Sequence, residues 1–269
     1  MKGHDMYDWK KCIASFREAR EDCFTLISHA SYLFRTNGVC WALDPRLDDD
    51  MHLQADDMLP EAFGEVRFAL LTHLHGDHYD KKLIQSLSGL DITWVFPDFL
   101  PPEEQDFVKE YCAKRVFVHA GQELTLCGVT VRVFESNHSD VFEGKLYSVP
   151  EYGYAVCAGK TRLLFPGDVR DYGDRLPGFT GADVFGHIWL GRKAALTYTS
   201  EMLADFCDFL LSCTPRRVIL AHLYDWNRSE KSMWTEDHAQ AVRQIIAKKQ
   251  PGLPVLSPAH GETVLLDVE

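Results

Sequence analysis

The chain has 269 residues, of which 46% are hydrophobic and 25% are charged. This length and composition exclude a disulfide-scaffolded miniprotein and a disordered chain, and they allow a sizeable hydrophobic core. The formal net charge is -12, which disfavours a nucleic-acid partner unless a basic patch or bound metal ions attract the phosphates. No apolar stretch approaches the roughly 20 residues that span a bilayer, so we expect no membrane partner.

The start of the sequence, MKGHDMYDWK, has no apolar core behind its lysine and predicts no secretory signal. The eight cysteines include no CxxC pair. In a chain of this length, such a pattern is typical of reduced, mostly buried thiols. We therefore expect a cytoplasmic protein.

Residues 1–27 are polar and charged, with weak helical character. We expect them to form a helical lead-in that packs on a single domain comprising residues 28–269. Two β-favouring runs follow, at 31–36 and 39–43, and Asn37-Gly38 between them is a strong hairpin signal.

The remaining elements follow from apolar runs and helical spacing. The run 66–71 predicts a buried strand, and a short helix is expected after residue 80. Longer helices are expected at 103–113, after Thr199 or Ser200, and after Thr235. Further strands are expected at 93–96, 115–118, 123–126, 129–134, 152–158, 161–165, 217–221, 255–256 and 263–266. This order predicts an α/β domain in which one sheet packs on another and the helices lie outside.

Polar side chains are concentrated directly after the apolar run 66–71. Alternate residues of an extended segment point to the same side, so His73 and His75 can converge on one point. Asp77 and His78 follow Gly76, where the backbone is free to turn and direct them to a second point. Burying polar side chains beside an apolar strand costs free energy, and cations bound by these side chains would offset that cost.

The segment Thr72-His73-Leu74-His75-Gly76-Asp77-His78 resembles the HxHxDH signature of the metallo-β-lactamase superfamily. Residues that resemble the other motifs of the family occur in the same order along residues 28–267. They are Asp44 after the second hairpin strand, His138 in Glu135-Ser136-Asn137-His138, Asp168 in Phe165-Pro166-Gly167-Asp168, and His222 after the strand 217–221. The resemblance implies a four-layered αββα sandwich of the metallo-β-lactamase type.

The resemblance also implies a dinuclear metal site. One ion would be bound by His73, His75 and His138, and the other by Asp77, His78 and His222. Asp168 would bridge both ions. His260, which also follows a short strand, is an alternative to His222 as the last ligand.

All these ligands donate through nitrogen or oxygen, so zinc is the expected metal, with manganese or iron as alternatives. Two divalent ions bring four positive charges, whereas Asp77, Asp168 and a bridging hydroxide remove three. The remaining charge suits an anionic or polarised substrate group. The hydroxide is the expected nucleophile, and Asp77 and Asp168 are the expected catalytic residues. Asp44 and Asp80 are expected to orient histidine ring N–H groups or nearby backbone.

Two departures from related patterns narrow the function. His75 stands where the di-iron redox branch of the superfamily has a glutamate, and Asp168 stands where the lactamases have a cysteine. The segment Ser28-His29-Ala30-Ser31 instead resembles the start of a lactonase-like branch.

Candidate substrate contacts are histidines and one arginine outside the ligand set, and each also has a purely structural interpretation. Arginine and histidine can bind a phosphate or carboxylate through charge-assisted hydrogen bonds. These candidates are His29, His187, Arg192 and His260.

These observations predict a metal-dependent hydrolase that cleaves an ester, lactone or phosphoester bond in a small, anionic substrate. A nuclease or phosphodiesterase of the same superfamily is an alternative, which the missing basic face disfavours. A catalytically silent metal-binding protein is another. The expected partner is a small-molecule substrate, and self-association into a homo-oligomer stays open.

Overall fold

The structure is a computed structural model that describes residues 9–47, 59–142, 145–172, 176–191, 198–224, 229 and 232–266. The chain forms two compact units. Unit 1 consists of Met1–His119, Thr125–Val129 and Pro258–Glu269. Unit 2 consists of Ala120–Leu124 and Thr130–Ser257.

The helices and strands of the described residues are numbered in chain order. They are α1 (Trp9–Glu18), β1 (Cys23–Ser28), β2 (Ser31–Thr36), β3 (Val39–Leu43), α2 (Leu59–Phe63), β4 (Val66–Leu70), α3 (Lys81–Ser86), β5 (Thr93–Pro97), α4 (Pro102–Tyr111), β6 (Lys114–Val118), β7 (Glu123–Leu126), β8 (Val129–Glu135), β9 (His138–Phe142), β10 (Lys145–Val149), β11 (Tyr152–Ala158), β12 (Thr161–Phe165), β13 (Asp183–His187), α5 (Ser200–Leu211), β14 (Arg217–Ala221), α6 (Glu236–Lys249), β15 (Val255–Leu256) and β16 (Thr263–Leu265).

The sheet of unit 1 has seven strands in the order β16-β1-β2-β3-β4-β5-β6. The strands from β16 to β3 pair antiparallel, and those from β3 to β6 pair parallel. Parallel neighbours end at the same edge, so the segments after β3 and β4 begin side by side. The backbone N–H of Asp44 accordingly donates to the carbonyl of Leu70 at 2.9 Å.

The predicted hairpin is confirmed. Asn37 and Gly38 have φ values of 49° and 76°, which match the type I′ turn that this dipeptide favours. Strand β1, by contrast, was not predicted. It begins at Cys23, inside the segment 1–27 that the sequence predicts as a helical lead-in, while the helix itself ends at Glu18.

Unit 2 contains a seven-stranded sheet in the order β15-β14-β13-β12-β11-β8-β7 and a separate two-stranded sheet of β9 and β10. Strands β12 to β15 pair parallel, whereas β12, β11 and β8 pair antiparallel. Strands β9, β10 and β13 were not predicted. The parallel arrangement brings the carboxyl ends of β12, β13 and β14 to one edge, where Asp168, His187 and His222 lie at or just beyond the strand ends.

Each unit has its own hydrophobic core between its sheet and its helices. In unit 1, apolar residues of α1, α2, α3 and α4 pack with strand residues such as Leu33 and Ala69. In unit 2, residues of α5 and α6 pack with strand residues such as Val184 and Leu220. The predicted mixed α/β class with two sheets is therefore confirmed. Among the described residues, no helix is both long enough and apolar enough to cross a membrane.

The cysteines are free thiols, and six of the eight are buried. Burial raises the pKa of the Cys23, Cys40 and Cys213 thiols to about 11, and that of Cys112 and Cys207 to about 12. The thiolate is the reactive form of cysteine. These five thiols are therefore protected from reagents both by burial and by their raised pKa.

We therefore predict that a disulfide reagent such as Ellman's reagent, at pH 8, modifies Cys127 and Cys157 in the folded protein. Cys127 is exposed and Cys157 is partly exposed. The buried six should react only after denaturation, and Cys127→Ser should remove the faster folded-state phase. Rapid reaction of more than two thiols without denaturant would contradict this assignment.

Candidate functional site

The loop after β4 brings three histidines of unit 1 together. The ring centroids of His73 and His75 are 4.7 Å apart, and those of His73 and His78 are 4.1 Å apart. His73 and His78 are completely buried, while His75 is partly exposed. A carboxylate oxygen of Asp77 lies within 4.8 Å of a ring nitrogen of His78. This loop therefore concentrates four side chains with metal-binding chemistry.

Asp44 determines how two of these histidines are protonated. Its buried carboxylate accepts hydrogen bonds from the Thr72 backbone N–H and from the Thr72 hydroxyl, both at 2.7 Å. It also accepts from Nδ1 of His78 at 2.8 Å. A hydroxyl has one hydrogen, so Thr72 Oγ1 must accept from Nδ1 of His73, at 3.0 Å. In both histidines Nε2 is therefore the nitrogen without a proton, and its lone pair could bind a metal ion.

Asp80 accepts hydrogen bonds from two backbone N–H groups. Its Oδ1 accepts from the N–H of Leu83 at 2.9 Å and so caps α3. Its Oδ2 accepts from the N–H of Leu47 at 3.0 Å. Asp80 thus fixes the end of the histidine loop against the segment after β3.

Asp168 is the centre of the corresponding cluster in unit 2. Nδ1 of His187, the last residue of β13, lies 2.7 Å from its Oδ1, and Nε2 of His222 lies 3.3 Å from its Oδ2. All three side chains are buried. Trp189 stacks on His222 with the ring centroids 5.1 Å apart and the planes at 20°. The indole ring therefore fixes the plane of the His222 imidazole.

His222 has a φ of +63°, in the left-handed region that non-glycine residues rarely adopt. Asp44 has a φ of +43°. Each of these residues lies directly after a strand, β14 and β3 respectively. The two positions share a backbone conformation that glycine would adopt more easily.

Glu151 is a site residue that the sequence analysis missed. Its carboxylate accepts from the Asp168 N–H, with both oxygens at 3.0 Å, and from the Ser136 hydroxyl at 2.6 Å. Burial raises the pKa of Glu151, and the Asp168 charge adds to this, whereas His138 acts in the opposite direction. Glu151 thus ties the loop that carries Asp168 to the loop that precedes His138.

His138 is the first residue of β9, is buried, and forms an isolated bridge with Val169. The carbonyl of the preceding residue, Asn137, accepts from the N–H of Arg170 at 3.0 Å. His138 and Asp168 therefore lie on neighbouring backbone segments of unit 2.

The candidate substrate contacts fall in different places. His29 and His260 belong to unit 1, and their ring centroids are 5.9 Å apart. His187 is buried against Asp168. Arg192 lies outside the described residues. Of the two alternatives for the last ligand, His222 contacts Asp168, and His260 lies beside His29.

A family model described as a beta-lactamase superfamily domain matches residues 24–200 of the sequence. The chain belongs to the beta-lactamase superfamily. No curated protein matches this superfamily member closely enough to count as a relative.

Solved structures with the same fold include proteins of different kinds. The metallo-beta-lactamase fold protein YhfI from Bacillus subtilis is 14% identical, with a TM-score of 0.61, over 90% of this chain and 99% of YhfI. CmlA, a diiron beta-hydroxylase from Streptomyces venezuelae, is 16% identical, with a TM-score of 0.61, over 92% of this chain and 55% of CmlA. The short form of human tRNase Z is 14% identical, with a TM-score of 0.55, over 91% of this chain and all of tRNase Z. At these identities the likeness confirms the predicted metallo-β-lactamase fold of this superfamily member. The reaction has to be inferred from the site residues, because one fold can support many functions.

The contact between Glu151 and the loop of Asp168 depends on Gly167. Gly167 has a φ of +86°, and a Cβ added to it would lie 2.5 Å from the carboxyl carbon of Glu151. Gly128 has the same φ but open space around its Cβ position. We predict that Gly167→Ala lowers the free energy of unfolding by about 1 to 3 kcal/mol more than Gly128→Ala, because only the former overpacks a buried side chain.

Urea unfolding of both variants measures this difference, since the cost of the left-handed backbone is common to both. Equal destabilisation would show that Glu151 moves aside freely and does not hold the loop.

Proposed function

We propose that this superfamily member is a metal-dependent hydrolase. In this proposal, two divalent ions are bound by the ligand set that the resemblance to the superfamily implies. The set consists of His73, His75, Asp77, His78, His138, Asp168 and His222.

The observation that carries this proposal is the way buried carboxylates hold the histidines. Asp44 and Thr72 leave Nε2 of His73 and His78 as the donor atom, which is how proteins orient histidine ligands. A cluster of buried imidazoles and carboxylates is costly without a cation to share. The donors are nitrogen and oxygen, so the residues fit zinc first, with manganese or iron as alternatives.

When bound, the ions would supply a water ionised near neutral pH and a positive charge that stabilises negative charge developing on the substrate. The protein's own contribution is to place and hold the groups around this water. Asp168 is held through its N–H by Glu151 and through its side chain by His187, so its orientation is fixed before substrate binds. Asp77 is partly exposed. We assign Asp77 and Asp168 to proton transfer with the attacking water and the leaving group.

We propose a small, anionic substrate with an ester, lactone or phosphoester bond. The net positive charge expected for the loaded site favours an anionic group. A nuclease is the second candidate, because tRNase Z has the same fold. The formal charge of -12 counts against it, and strong retention on heparin at moderate salt would count in its favour.

We predict that His75→Ala loses at least one bound metal ion per chain and abolishes hydrolysis, while the protein stays folded. Elemental analysis after dialysis measures the metal, and a panel containing an ester, a lactone and a phosphodiester measures activity. His119→Ala, which replaces an exposed histidine of unit 1, is the matched control and should behave as the unaltered protein. Full metal content in His75→Ala would remove His75 from the ligand set.

If the unaltered protein binds two ions but hydrolyses no member of the panel, the catalytically silent alternative is favoured. If it consumes oxygen with a reductant instead, the redox branch represented by CmlA is favoured. Metal content thus tests the ligand set, and the activity assays test the reaction independently of it.

Asp44→Asn provides an independent test of the histidine orientation. An amide has one acceptor oxygen and an NH2 donor, so it cannot accept all three hydrogen bonds that the carboxylate accepts from Thr72 and His78. We therefore predict metal affinity about 10- to 100-fold weaker. A competitive chelator titration measures the affinity. Asp91→Asn, at an exposed aspartate paired with Lys114, is the control. Unchanged affinity in Asp44→Asn would mean that the buried carboxylate does not orient the ligands.

A further inference from the structure

Arg170 is a partly buried cation that lies two residues beyond Asp168 in unit 2. Its backbone N–H donates to the carbonyl of Asn137, next to His138. Its guanidinium carbon lies 5.3 Å from the ring centroid of Trp189, the indole that stacks on His222. Arg170 is therefore connected to three proposed ligands through backbone or through a single side chain.

The guanidinium is held in place but is weakly paired. The side chain is 12% exposed, and its ion pair with Asp140 spans 3.4 Å to a carboxylate that is 39% exposed. Nε is buried and has no hydrogen-bond partner within the part of the chain that the structure describes. A guanidinium has five N–H donors, and among the described residues the contact with Asp140 uses one of them.

The backbone of Gly191 lies close against the same guanidinium. A Cβ at Gly191 would lie 3.0 Å from one terminal nitrogen of Arg170, and Gly191 has a φ of +93°. Together with the Trp189 ring, this contact restricts the guanidinium before any ligand arrives. A restricted binding group loses less conformational entropy when it binds.

An unpaired Nε alone would not indicate a ligand site, because Arg162 has the same feature. Arg162 lies in β12 with its guanidinium carbon 4.1 Å from the ring centroid of Phe179, and its Nε is likewise buried without a partner among the described residues. Arg162 is, however, near the start of β12, whereas Arg170 follows the end of that strand, where Asp168 lies. The position of Arg170 distinguishes it from a packed arginine.

We propose that Arg170 binds the anionic group of the substrate, a carboxylate or a phosphate, through charge-assisted hydrogen bonds. Asp140 holds the guanidinium in the free protein, and the stronger substrate contact replaces this long ion pair. This inference rests on the proposed hydrolase function, and it makes Arg170 the residue that selects anionic over neutral substrates.

The kinetic test compares two esters with the same leaving group. Mono-4-nitrophenyl glutarate carries a terminal carboxylate, and 4-nitrophenyl valerate has the same acyl length without the charge. Arg170→Gln should raise KM for the glutarate ester about tenfold to a hundredfold, with kcat within about threefold, because a hydrogen bond to a charged group is lost. KM for the valerate ester and the metal content should not change, and Arg170→Lys should restore part of the affinity.

Arg162→Gln is the matched control for the loss of a partly buried guanidinium that packs on an aromatic ring, and it should affect both esters equally or not at all. Asp140→Asn should lower KM for the glutarate ester, because it removes the competing carboxylate. An equal loss on both esters, or a loss of metal in Arg170→Gln, would overturn the proposal and make Arg170 a structural residue.

A binding measurement decides the proposal even if neither ester is hydrolysed, an outcome that would count against the hydrolase function instead. Inorganic phosphate is titrated calorimetrically into the unaltered protein and into Arg170→Gln, both treated with chelator so that metal ions do not bind the phosphate. Weaker binding to the variant supports the anion site. Equal binding, or no binding to the unaltered protein at millimolar phosphate, would refute it.

Discussion

The buried carboxylate of Asp44 is the interaction on which the histidine loop of unit 1 depends. A carboxylate without water must have its lone pairs satisfied, and the donors available at the end of β3 are Thr72 and His78. The Asp44 carboxylate therefore fixes the ring proton of His78 directly. It also fixes the Thr72 hydroxyl hydrogen, which in turn fixes the ring proton of His73. One desolvated charge thus determines which ring nitrogen of each histidine carries the proton and which does not.

In unit 2, two acidic residues, Asp168 and Glu151, have the role that Asp44 has in unit 1. Nδ1 of His187 donates to the carboxylate of Asp168, and Nε2 of His222 lies 3.3 Å from the same carboxylate. The backbone N–H of Asp168 donates to Glu151. The carboxylate of Glu151 also accepts a hydrogen bond from the hydroxyl of Ser136, which comes two residues before His138. The carboxylates therefore act as fixed acceptors around which separate loops are ordered, and the sheets supply only the strand ends from which those loops start.

Much of the fold and part of the site could be predicted from the sequence. The Asn37-Gly38 hairpin and the run of His73 to His78 are local signals, because turn geometry and ligand spacing are properties of adjacent residues. Glu151 has no such signal, since its partners are 15 and 17 positions away and meet only through the pairing of β8, β11 and β12. For the same reason, the contact of His187 with Asp168 was not foreseen, because it depends on the unpredicted strand β13.

The left-handed backbone at Asp44 and His222 has an energetic consequence for the whole chain. A side chain in this conformation costs roughly 1 to 2 kcal/mol that glycine would avoid, and a domain of ordinary stability has few such increments to lose. Stability alone would favour glycine at both strand ends. The chain instead tolerates a less stable fold at the positions where its proposed chemistry requires a carboxylate and an imidazole, so improving its thermal resistance there would come at the expense of activity.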